Sequence, residues 1–267
     1  MRRSERLLRV TKKLLDHPKS AVSLSDLASE FQAAKSSLSE DVAIVRQILE
    51  SSEEGTISTI SGAGGGVRFQ VGVPEKEKRE FLLEVAHRMS DKSRILPGGF
   101  VYMSDILGDP DILDTIGRVF AASYMDSGVN VVVTIETKGI PLAVVTARYL
   151  HVPMVIVRRE HKVTEGAALT THYVSGSERR IQTMSISKRA LPEKARALIV
   201  DDFMRAGATA KAVIGLLAEF AVEVVGTAVF VATVQPNQKL VSDYTALLSM
   251  DHVTEDGSIS VYPAIDT

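Results

Sequence analysis

Cysteine is absent from this chain of 267 residues. Its absence excludes disulfide scaffolds, thiol nucleophiles, iron–sulfur clusters and every zinc site that uses cysteine ligands. The six histidines are never three to five residues apart, so a local histidine-pair motif for a metal is also missing. We therefore expect no resident metal ion and no enzyme cofactor.

Long apolar runs and a strong net charge are lacking as well. The longest uncharged, mainly apolar run is 224–234, well short of the roughly 18 residues that a helix needs to cross a bilayer. Charged residues occupy the N-terminal positions where a secretory signal needs apolar ones. With 31 basic against 33 acidic side chains, the formal charge of −2 excludes a protein that is basic all over, but it leaves a local basic patch open. We expect a soluble, cytoplasmic protein without a membrane partner.

The character of the sequence changes near Pro74. Hydrophobic residues make up 45% of the chain and charged residues 24%, an ordinary globular composition that allows one large domain or two modest ones. Short amphipathic segments and a glycine-rich patch precede Pro74, whereas a highly charged helix start, 75–80, and longer apolar strands follow it. We predict two domains, 1–73 and 74–267.

The first domain has the order of a winged helix-turn-helix. His17-Pro18 ends a first helix, Ser23 resembles the N-cap of a second, and the sequence 37–40 fits a capping box. An apolar stripe at helical spacing then predicts the recognition helix, 35–49. Two alternating segments follow as strands, with a glycine-rich turn between them as the tip of the wing: 56–60, 67–71 and, for the turn, 61–66.

A dinucleotide-binding loop is the alternative interpretation of the glycines at 62–66. Val67 occupies the position of the final glycine of that motif, and a strand rather than a helix follows. The pattern therefore favours a wing that approaches a DNA backbone.

Basic residues are concentrated in the first 20 positions, which contain seven lysines and arginines but only two acidic residues. The N-terminal end of a recognition helix is the part that usually faces base edges and phosphates. These observations predict a DNA-binding surface, whose candidate residues are Arg2, Arg3, Lys35, Ser36, Ser37, Ser39 and Arg68. The alternative is a solvated basic helix face.

Strands and helices alternate in the second domain, which predicts an α/β fold with a mainly parallel sheet. An apolar strand, 129–135, leads into a helix, 139–150, with Pro141 in its first turn, and the next strand is 152–157. The remaining predicted elements are an extended hairpin, a strand that stops at a pair of acids, an amphipathic helix and a last buried strand: 170–188, 197–200, 210–218 and 224–234.

A buried strand that ends in two adjacent carboxylates is the strongest chemical signal in the sequence. A turn of small residues follows and runs into a helix N-terminus, where backbone N–H groups and the helix dipole bind phosphate. The carboxylates suit ribose hydroxyls, so the pattern predicts a site for a ribose 5-phosphate. The residues of this candidate site are Asp201, Asp202, Phe203, Met204, Arg205, Ala206, Gly207, Ala208 and Thr209. A plain strand–helix turn with solvated aspartates is the alternative.

This stretch resembles the signature of type I phosphoribosyltransferases. The resemblance implies that the two acids hold the ribose hydroxyls of phosphoribosyl pyrophosphate and that the loop holds its 5-phosphate. The chain departs from the signature at Ala206, where the family usually has threonine, and at Ala208, where it usually has glycine. One hydroxyl donor is lost, which implies a lower phosphate affinity, but the backbone cradle is retained.

The segment Thr137-Lys138-Gly139 lies where that family has its pyrophosphate loop. Free amides at a helix start, together with a lysine, suit a diphosphate. Arg158 and Arg159, which end the next predicted strand, resemble the basic residues that neutralise the pyrophosphate. A solvated strand end is the alternative for the two arginines.

Residues 97–106 look like the hood of adenine phosphoribosyltransferases, whose aromatic residue packs on the purine. Tyr102 takes that place, and Phe203 is a candidate for the same pocket. For both aromatics, a position in the hydrophobic core is the alternative.

The catalytic loop of the adenine enzymes is not matched. Those enzymes have a Glu-Tyr-Gly segment shortly before a strand, and alignment of 181–182 with that strand puts Ser175-Gly176-Ser177 in its place. Without an acid or an aromatic group there, general acid–base assistance is lost. We predict binding without turnover, and no catalytic residues.

A winged helix joined to a phosphoribosyltransferase-like domain closely resembles the purine operon repressors of Gram-positive bacteria. The resemblance covers essentially the whole chain, including 95–99 and 201–204. It implies a homodimer that binds double-stranded DNA at purine-gene control regions and responds to phosphoribosyl pyrophosphate, with Mg²⁺, as inducer. A pocket for two phosphate groups on one ribose also favours competition by purine nucleotides.

Two other functions stay open. An active purine phosphoribosyltransferase with an accessory N-terminal domain is disfavoured by Ser175-Gly176, where catalysis needs Glu-Tyr. A nucleotide-sensing protein without DNA binding is disfavoured by the basic first helix and the wing.

Overall fold

A computed structural model of the chain describes residues 1–62, 65–97, 100–160, 166–174, 181–187, 189–251 and 258–264. The first unit packs three helices against a two-stranded hairpin. Its elements are α1 (Arg3–Asp16), α2 (Leu24–Phe31), α3 (Lys35–Ser51), β1 (Gly55–Ile60) and β2 (Gly66–Val71). The two strands pair antiparallel, and a bridge between Val22 and Val67 adds a short third segment beside β2. This arrangement confirms the predicted winged helix-turn-helix.

The helix caps differ from the prediction at one position. Ser23 caps α2 as expected, since its Oγ accepts the backbone N–H of Asp26 at 3.2 Å. The capping box at Ser37 is wrong, because α3 already begins at Lys35 and has no side-chain cap. Inside a helix, serine bonds a carbonyl one turn back instead, as the hydroxyl of Ser39 does with the Lys35 carbonyl at 3.1 Å.

The second unit is built on a six-stranded sheet. Its elements are α4 (Glu75–Met89), β3 (Ile95–Leu96), β4 (Phe100–Val101), α5 (Pro110–Ser123), β5 (Val131–Ile135), α6 (Gly139–Leu150), β6 (Met154–Val157), β7 (Ala168–Val174), β8 (Ile181–Ser187), β9 (Arg196–Met204), α7 (Ala208–Ala218), β10 (Glu223–Thr233), β11 (Tyr244–Met250) and β12 (Val261–Pro263). The sheet order is β12-β11-β10-β9-β5-β6, and every neighbouring pair is parallel except β11 and β12. The prediction of a mainly parallel sheet is confirmed.

Helices cover both faces of this sheet. Successive residues of a strand point to opposite sides, so each strand contributes to a core on either face. Leu198 and Val200 of β9 belong to the core that contains Leu142 of α6, whereas Ile199 belongs to the core that contains Val213 of α7. The first of these cores is continuous with the core of the winged helix. Within the described ranges, no helix has both the length and the apolar character that a membrane crossing requires.

Strand β9 is longer than predicted. It continues to Met204 because β10 lies beside it, with Asp201 opposite Val229 and Phe203 opposite Val231. The expected strand end at the two acids is therefore wrong, and both carboxylates stand on the carboxyl-terminal part of a strand. Helix α5 is missing from the sequence prediction, although Asp109 caps it and a proline occupies its first position.

Candidate functional site

The two acids of β9 are half-buried beside the start of α6. Burial raises the pKa of Asp201 and Asp202 above the ordinary value of 3.8, and the adjacent Asp202 carboxylate raises the pKa of Asp201 further. The positive charges of Lys138 and Arg159 lower the pKa of Asp202, because they favour its ionised form. The structure thus brings together charged residues that follow β5 and β6 with the two acids of β9.

Gly139 lets helix α6 begin in contact with the acids. A Cβ at this position would lie 2.5 Å from Thr134 Oγ1 and 3.3 Å from Asp201 Oδ1, so no larger residue fits without a shift. The Oγ1 of Thr134 is buried and has no hydrogen-bond partner in the described structure. Thr137 and Lys138 precede the helix and are exposed, and the Glu136–Thr137 peptide is cis. The N–H of Ile140 donates to the carbonyl of Thr137 at 3.3 Å and Pro141 has no N–H, so this loop offers the amide of Gly139 and the exposed ammonium group of Lys138 to an anion.

The turn between β9 and α7 has the form of a phosphate-binding loop. Gly207 directly precedes the helix with a φ of +81°, the left-handed region that favours glycine. The first N–H groups of α7, at Ala208 and Thr209, have no carbonyl within the helix to bond. Arg205 is exposed and Ala206 is half-buried. The turn can therefore offer these N–H groups to an anion.

Two residues of the predicted site, Phe203 and Met204, lie on β9 and pack into hydrophobic clusters. Met204 is 4% exposed and packs with Val229 and Ala210. Phe203 is half-buried and packs against the core on the α6 side, which is the alternative expected for it. The ligand contacts predicted for these two side chains therefore gain no support from their surroundings.

Glu136, which was not predicted from the sequence, positions Arg158 and Arg159, the two residues that follow β6. Its carboxylate accepts a hydrogen bond from Arg158 Nη1 at 3.3 Å and from the backbone N–H of Arg159 at 2.9 Å. The Arg159 guanidinium also donates to Gln182 at 3.4 Å, and its charge lowers the pKa of both aspartates. Arg159 therefore acts on the acid pair, while Arg158 is engaged by Glu136. The position of Glu136, one residue before the predicted pyrophosphate loop, is a signal that could have identified it.

Tyr102 lies on the surface, at 44% exposure, and not in the core. Its backbone is fixed by Arg94, whose carbonyl accepts the Tyr102 N–H at 2.8 Å and whose guanidinium donates to the Tyr102 carbonyl at 3.1 Å. Arg94 also forms two hydrogen bonds with the carboxylate of Asp105, of 2.7 and 2.8 Å, and it lowers the pKa of Asp105 to about 2. The segment thus presents an aromatic ring to solvent on a fixed backbone.

The candidate DNA-binding residues lie mostly at the exposed start of α3 and on α1. Lys35 is exposed, and its ammonium group donates to Ser25 Oγ at 3.2 Å. Ser36 and Ser39 are exposed and Ser37 is half-buried, while Arg2 and Arg3 are exposed at the start of α1.

Asp41 lies in the interior of the winged helix. It is fully buried, forms a hydrogen-bonded ion pair with Arg6 and lies 3.5 Å from Arg3. This acid therefore ties α1 to α3 and does not oppose the DNA phosphates.

Arg68 lies on β2 of the hairpin, as predicted, and close to the second unit. It is half-buried, and by strand alternation it shares a face of β2 with Gln70, whose amide donates to Asp126 of the second unit at 3.3 Å. Lys19 lies close enough for the positive charge of Arg68 to lower its pKa, although burial lowers that pKa more. Arg68 thus stands near the junction of the two units.

Arg46 of α3 is a further basic residue of the winged helix that was not predicted as a candidate. Its guanidinium donates to Thr59 Oγ1 at 3.2 Å.

Three predictions fall on residues outside the described ranges. They concern the replaced catalytic segment, two positions of the wing tip and two glycines of the hood: 175–177, 63–64 and 98–99. In the ranges that are described, no group of three or more histidine, aspartate or glutamate side chains could hold a metal ion.

The fold and the site define a DNA-binding winged helix joined to a phosphoribosyltransferase-like domain. A family described as bacterial purine repressor, N-terminal, matches 2–71, and the phosphoribosyl transferase domain family matches 103–261. The chain belongs to the PurR family of purine biosynthesis transcriptional regulators. The purine biosynthesis transcriptional repressor PurR of Bacillus subtilis is 43% identical over 252 residues, which cover 94% of this chain and 88% of that protein.

Other relatives carry different descriptions. The purine biosynthesis transcriptional activator PurR of Lactococcus lactis subsp. lactis is 42% identical over 253 residues, with coverage of 95% of this chain and 93% of that protein. A xanthine phosphoribosyltransferase of Streptococcus equi subsp. zooepidemicus is 34% identical over 163 residues, with coverage of 58% and 83%. Among solved structures, an adenine phosphoribosyltransferase from Thermoanaerobacter pseudethanolicus matches with a TM-score of 0.55 and 22% identity, over 62% of this chain and 98% of that one. The last similarity shows a shared fold.

Proposed function

We propose that the protein represses purine biosynthesis and transport genes by binding operator DNA and that phosphoribosyl pyrophosphate releases it. The observation that carries the proposal is that two helices, α6 and α7, begin next to the acid pair of β9: α6 through the contact of Gly139 with Asp201, and α7 through the turn that directly follows the strand. A ligand with one phosphate on each side of a ribose matches this arrangement. The acid pair lies at the carboxyl end of a parallel strand, which is where open α/β sheets generally bind their ligands.

Each part of phosphoribosyl pyrophosphate has a partner of suitable chemistry. The amides at Ala208 and Thr209 receive the 5-phosphate, because a helix N-terminus favours an anion. Asp201 and Asp202 accept hydrogen bonds from the ribose hydroxyls. The loop at 137–139, with Arg159, receives the diphosphate, which would bring Mg²⁺ with it. Purine nucleotides share the ribose and 5-phosphate, so they would compete for the same site.

Helix α6 connects this site to the winged helix. It begins with Gly139 at the acid pair. Two residues of its last turn, 147–148, and the residues after it, 151–153, line a cleft of about 420 Å³ together with 16–18 of the first unit. The charge of Arg148 in this cleft lowers the pKa of Asp16, although the hydrogen bond from Lys12 lowers it more. A diphosphate bound at one end of α6 can therefore favour a different position of α1 at the other end.

A ligand shifts such an equilibrium only if it binds one state more tightly than the other. We propose that the state with bound phosphoribosyl pyrophosphate has the lower DNA affinity. We propose a domain boundary at 73 and 74, so that this contact lies between domains; one family match ends at residue 71 and the other begins at residue 103. We further propose that two copies form a homodimer on DNA.

An active phosphoribosyltransferase is the second candidate, and the similarity to xanthine phosphoribosyltransferase favours it. We propose that the chain is not an enzyme, because Ser175-Gly176-Ser177 replaces the acid and the aromatic residue that the adenine enzymes use. The description of the Lactococcus lactis relative as an activator makes the direction of regulation a separate question. Transcription from a purine promoter, measured with and without the protein, distinguishes repression from activation.

The experiment that tests the proposal is a DNA-binding titration on purine-gene control regions, with and without phosphoribosyl pyrophosphate and Mg²⁺. We expect a complex that dissociates when the ligand is added. A complex that is indifferent to the ligand, while calorimetry shows that the ligand binds, would contradict the proposed release.

A further inference from the structure

Lys239 lies behind the loop that joins β9 to α7, on the segment between β10 and β11. Its ammonium group donates to the carbonyl of Arg205 at 2.6 Å and to the carbonyl of Thr233 at 2.5 Å. The side chain is half-buried, and burial lowers the pKa of Lys239 below the ordinary value of 10.5. The lysine thus joins the end of β10 to the first residue of the loop.

The backbone next to Lys239 holds the second carbonyl of the same loop. The N–H of Leu240 donates to the carbonyl of Ala206 at 2.8 Å. In a trans peptide the C=O and the N–H point in opposite directions. The carbonyls of Arg205 and Ala206 point towards the segment 239–240. The N–H groups of the next residues, Ala206 and Gly207, therefore point to the opposite side, where the 5-phosphate is proposed to bind.

The charge of Lys239 has no acidic partner in the part of the chain that the structure describes. The acceptors recorded for the ammonium group are the carbonyl oxygens of Arg205 and Thr233 and, at 3.4 Å, the hydroxyl of Thr233. None of these oxygens carries a formal charge. A half-buried cation among neutral acceptors is costly unless an anion approaches it, and the loop in front of it is built to receive one.

We propose that Lys239 is a positioning residue for the 5-phosphate subsite. It holds the loop carbonyls away from the ligand, so that the amides face the phosphate, and it adds a positive charge behind the loop without touching the ligand. This inference rests on the proposed function, because it takes the loop before α7 as the 5-phosphate site.

The test compares ligands that occupy different subsites. Ribose 5-phosphate reports on the loop that Lys239 supports, and inorganic pyrophosphate with Mg²⁺ reports on the loop before α6. We expect Lys239→Met to weaken ribose 5-phosphate and phosphoribosyl pyrophosphate by about tenfold or more, as the loss of a charge-assisted hydrogen bond implies. The affinity for pyrophosphate should stay at the wild-type value. Lys239→Arg should recover most of the loss, because it keeps the charge and the donors.

Lys76→Met is the control, since Lys76 is an exposed lysine of α4 and its removal changes the net charge by the same amount. Calorimetry gives the affinities, and thermal melting shows whether each variant is folded. If wild-type protein binds neither ribose 5-phosphate nor pyrophosphate, the proposed function fails. If the wild type binds both and Lys239→Met keeps its affinity for ribose 5-phosphate, the inference about Lys239 fails alone. An equal loss for pyrophosphate would also overturn it, because the role would then be general stability.

Discussion

Replacement of both aspartates of β9 by asparagine should remove effector binding and stabilise the fold at the same time. Asn is nearly the same size as Asp, so the packing around positions 201 and 202 is preserved. What changes is the charge that accepts hydrogen bonds from the ribose hydroxyls. The two effects have opposite signs, and a site that exists only to stabilise the fold would not produce them together.

The loss of affinity follows from the number of hydrogen bonds. Hydrogen bonds to charged groups contribute roughly 1.5–3 kcal/mol each. The loss of two corresponds to a weakening of about two to four orders of magnitude, at roughly 1.4 kcal/mol per tenfold. A smaller loss is expected to the extent that the removal of two negative charges also reduces repulsion of the phosphates.

The gain in stability follows from the raised pKa values. The pKa of each aspartate in the folded protein lies above 3.8, mainly through burial, so the folded protein binds more protons than the unfolded chain as the pH rises above that value. The free energy of unfolding therefore decreases with rising pH, until the pH passes the raised pKa values. Asparagine does not titrate, so Asp201→Asn with Asp202→Asn should remove this decrease and be more stable than wild type at neutral pH.

Calorimetry with phosphoribosyl pyrophosphate measures the affinity, and denaturant unfolding at a series of pH values measures the stability. The double variant should still bind operator DNA, because the winged helix does not use these residues. An affinity for phosphoribosyl pyrophosphate equal to that of wild type would refute the assignment of the site. A variant that is less stable than wild type at neutral pH would refute the account of the buried charges.

Three further predictions concern the other parts of the molecule. Gly139→Ala should weaken pyrophosphate binding at least about tenfold, because the new Cβ would meet Thr134 Oγ1 at 2.5 Å and displace the start of α6. Gly215→Ala in α7 is the matched control, since a Cβ at that position would have no neighbouring atom within 4 Å. Calorimetry should show normal pyrophosphate binding for this control. The logarithm of the DNA affinity should fall with the logarithm of the salt concentration at a slope of about −0.9 per neutralised phosphate. Replacement of Arg2, Arg3, Lys35 and Arg68 together by alanine should flatten that slope. An unchanged slope would place the DNA surface elsewhere. No nucleotide should form when stoichiometric protein is mixed with phosphoribosyl pyrophosphate and adenine, guanine, hypoxanthine or xanthine. Chromatography detects the product, and clear nucleotide formation would show that the protein is an enzyme.

Local patterns in the sequence were sufficient for several elements, but not for the start of α3 or for α5, whose cap at Asp109 was not recognised. Ser23 caps a helix through a residue three positions ahead, and α6 begins where Gly139 and the following proline indicate. The acid pair and the small-residue turn after it are recognisable because all the groups of that site follow one another in the chain. Within this segment, the end of β9 was missed, since it depends on the strand that lies beside it.

Contacts between distant segments could not be predicted from the sequence. The burial of Asp41 depends on Arg6, and the loop after β9 is held by Lys239, more than thirty positions further along the chain. Arg68 follows the pattern of a wing residue, but the proximity of its strand to the second unit, seen in the bond from Gln70 to Asp126, depends on a residue more than fifty positions away. In each case the partner lies on another element, so neither composition nor spacing reports it.

The most direct test of the account is a fluorescence anisotropy titration of a purine-gene control fragment in complex with the protein. Phosphoribosyl pyrophosphate with Mg²⁺ should release the fragment over the concentration range in which calorimetry shows ligand binding. Ribose 5-phosphate alone or pyrophosphate alone should release it less well, because each occupies only one of the two loops. A complex that stays intact, or becomes tighter, while phosphoribosyl pyrophosphate is bound would contradict the central claim.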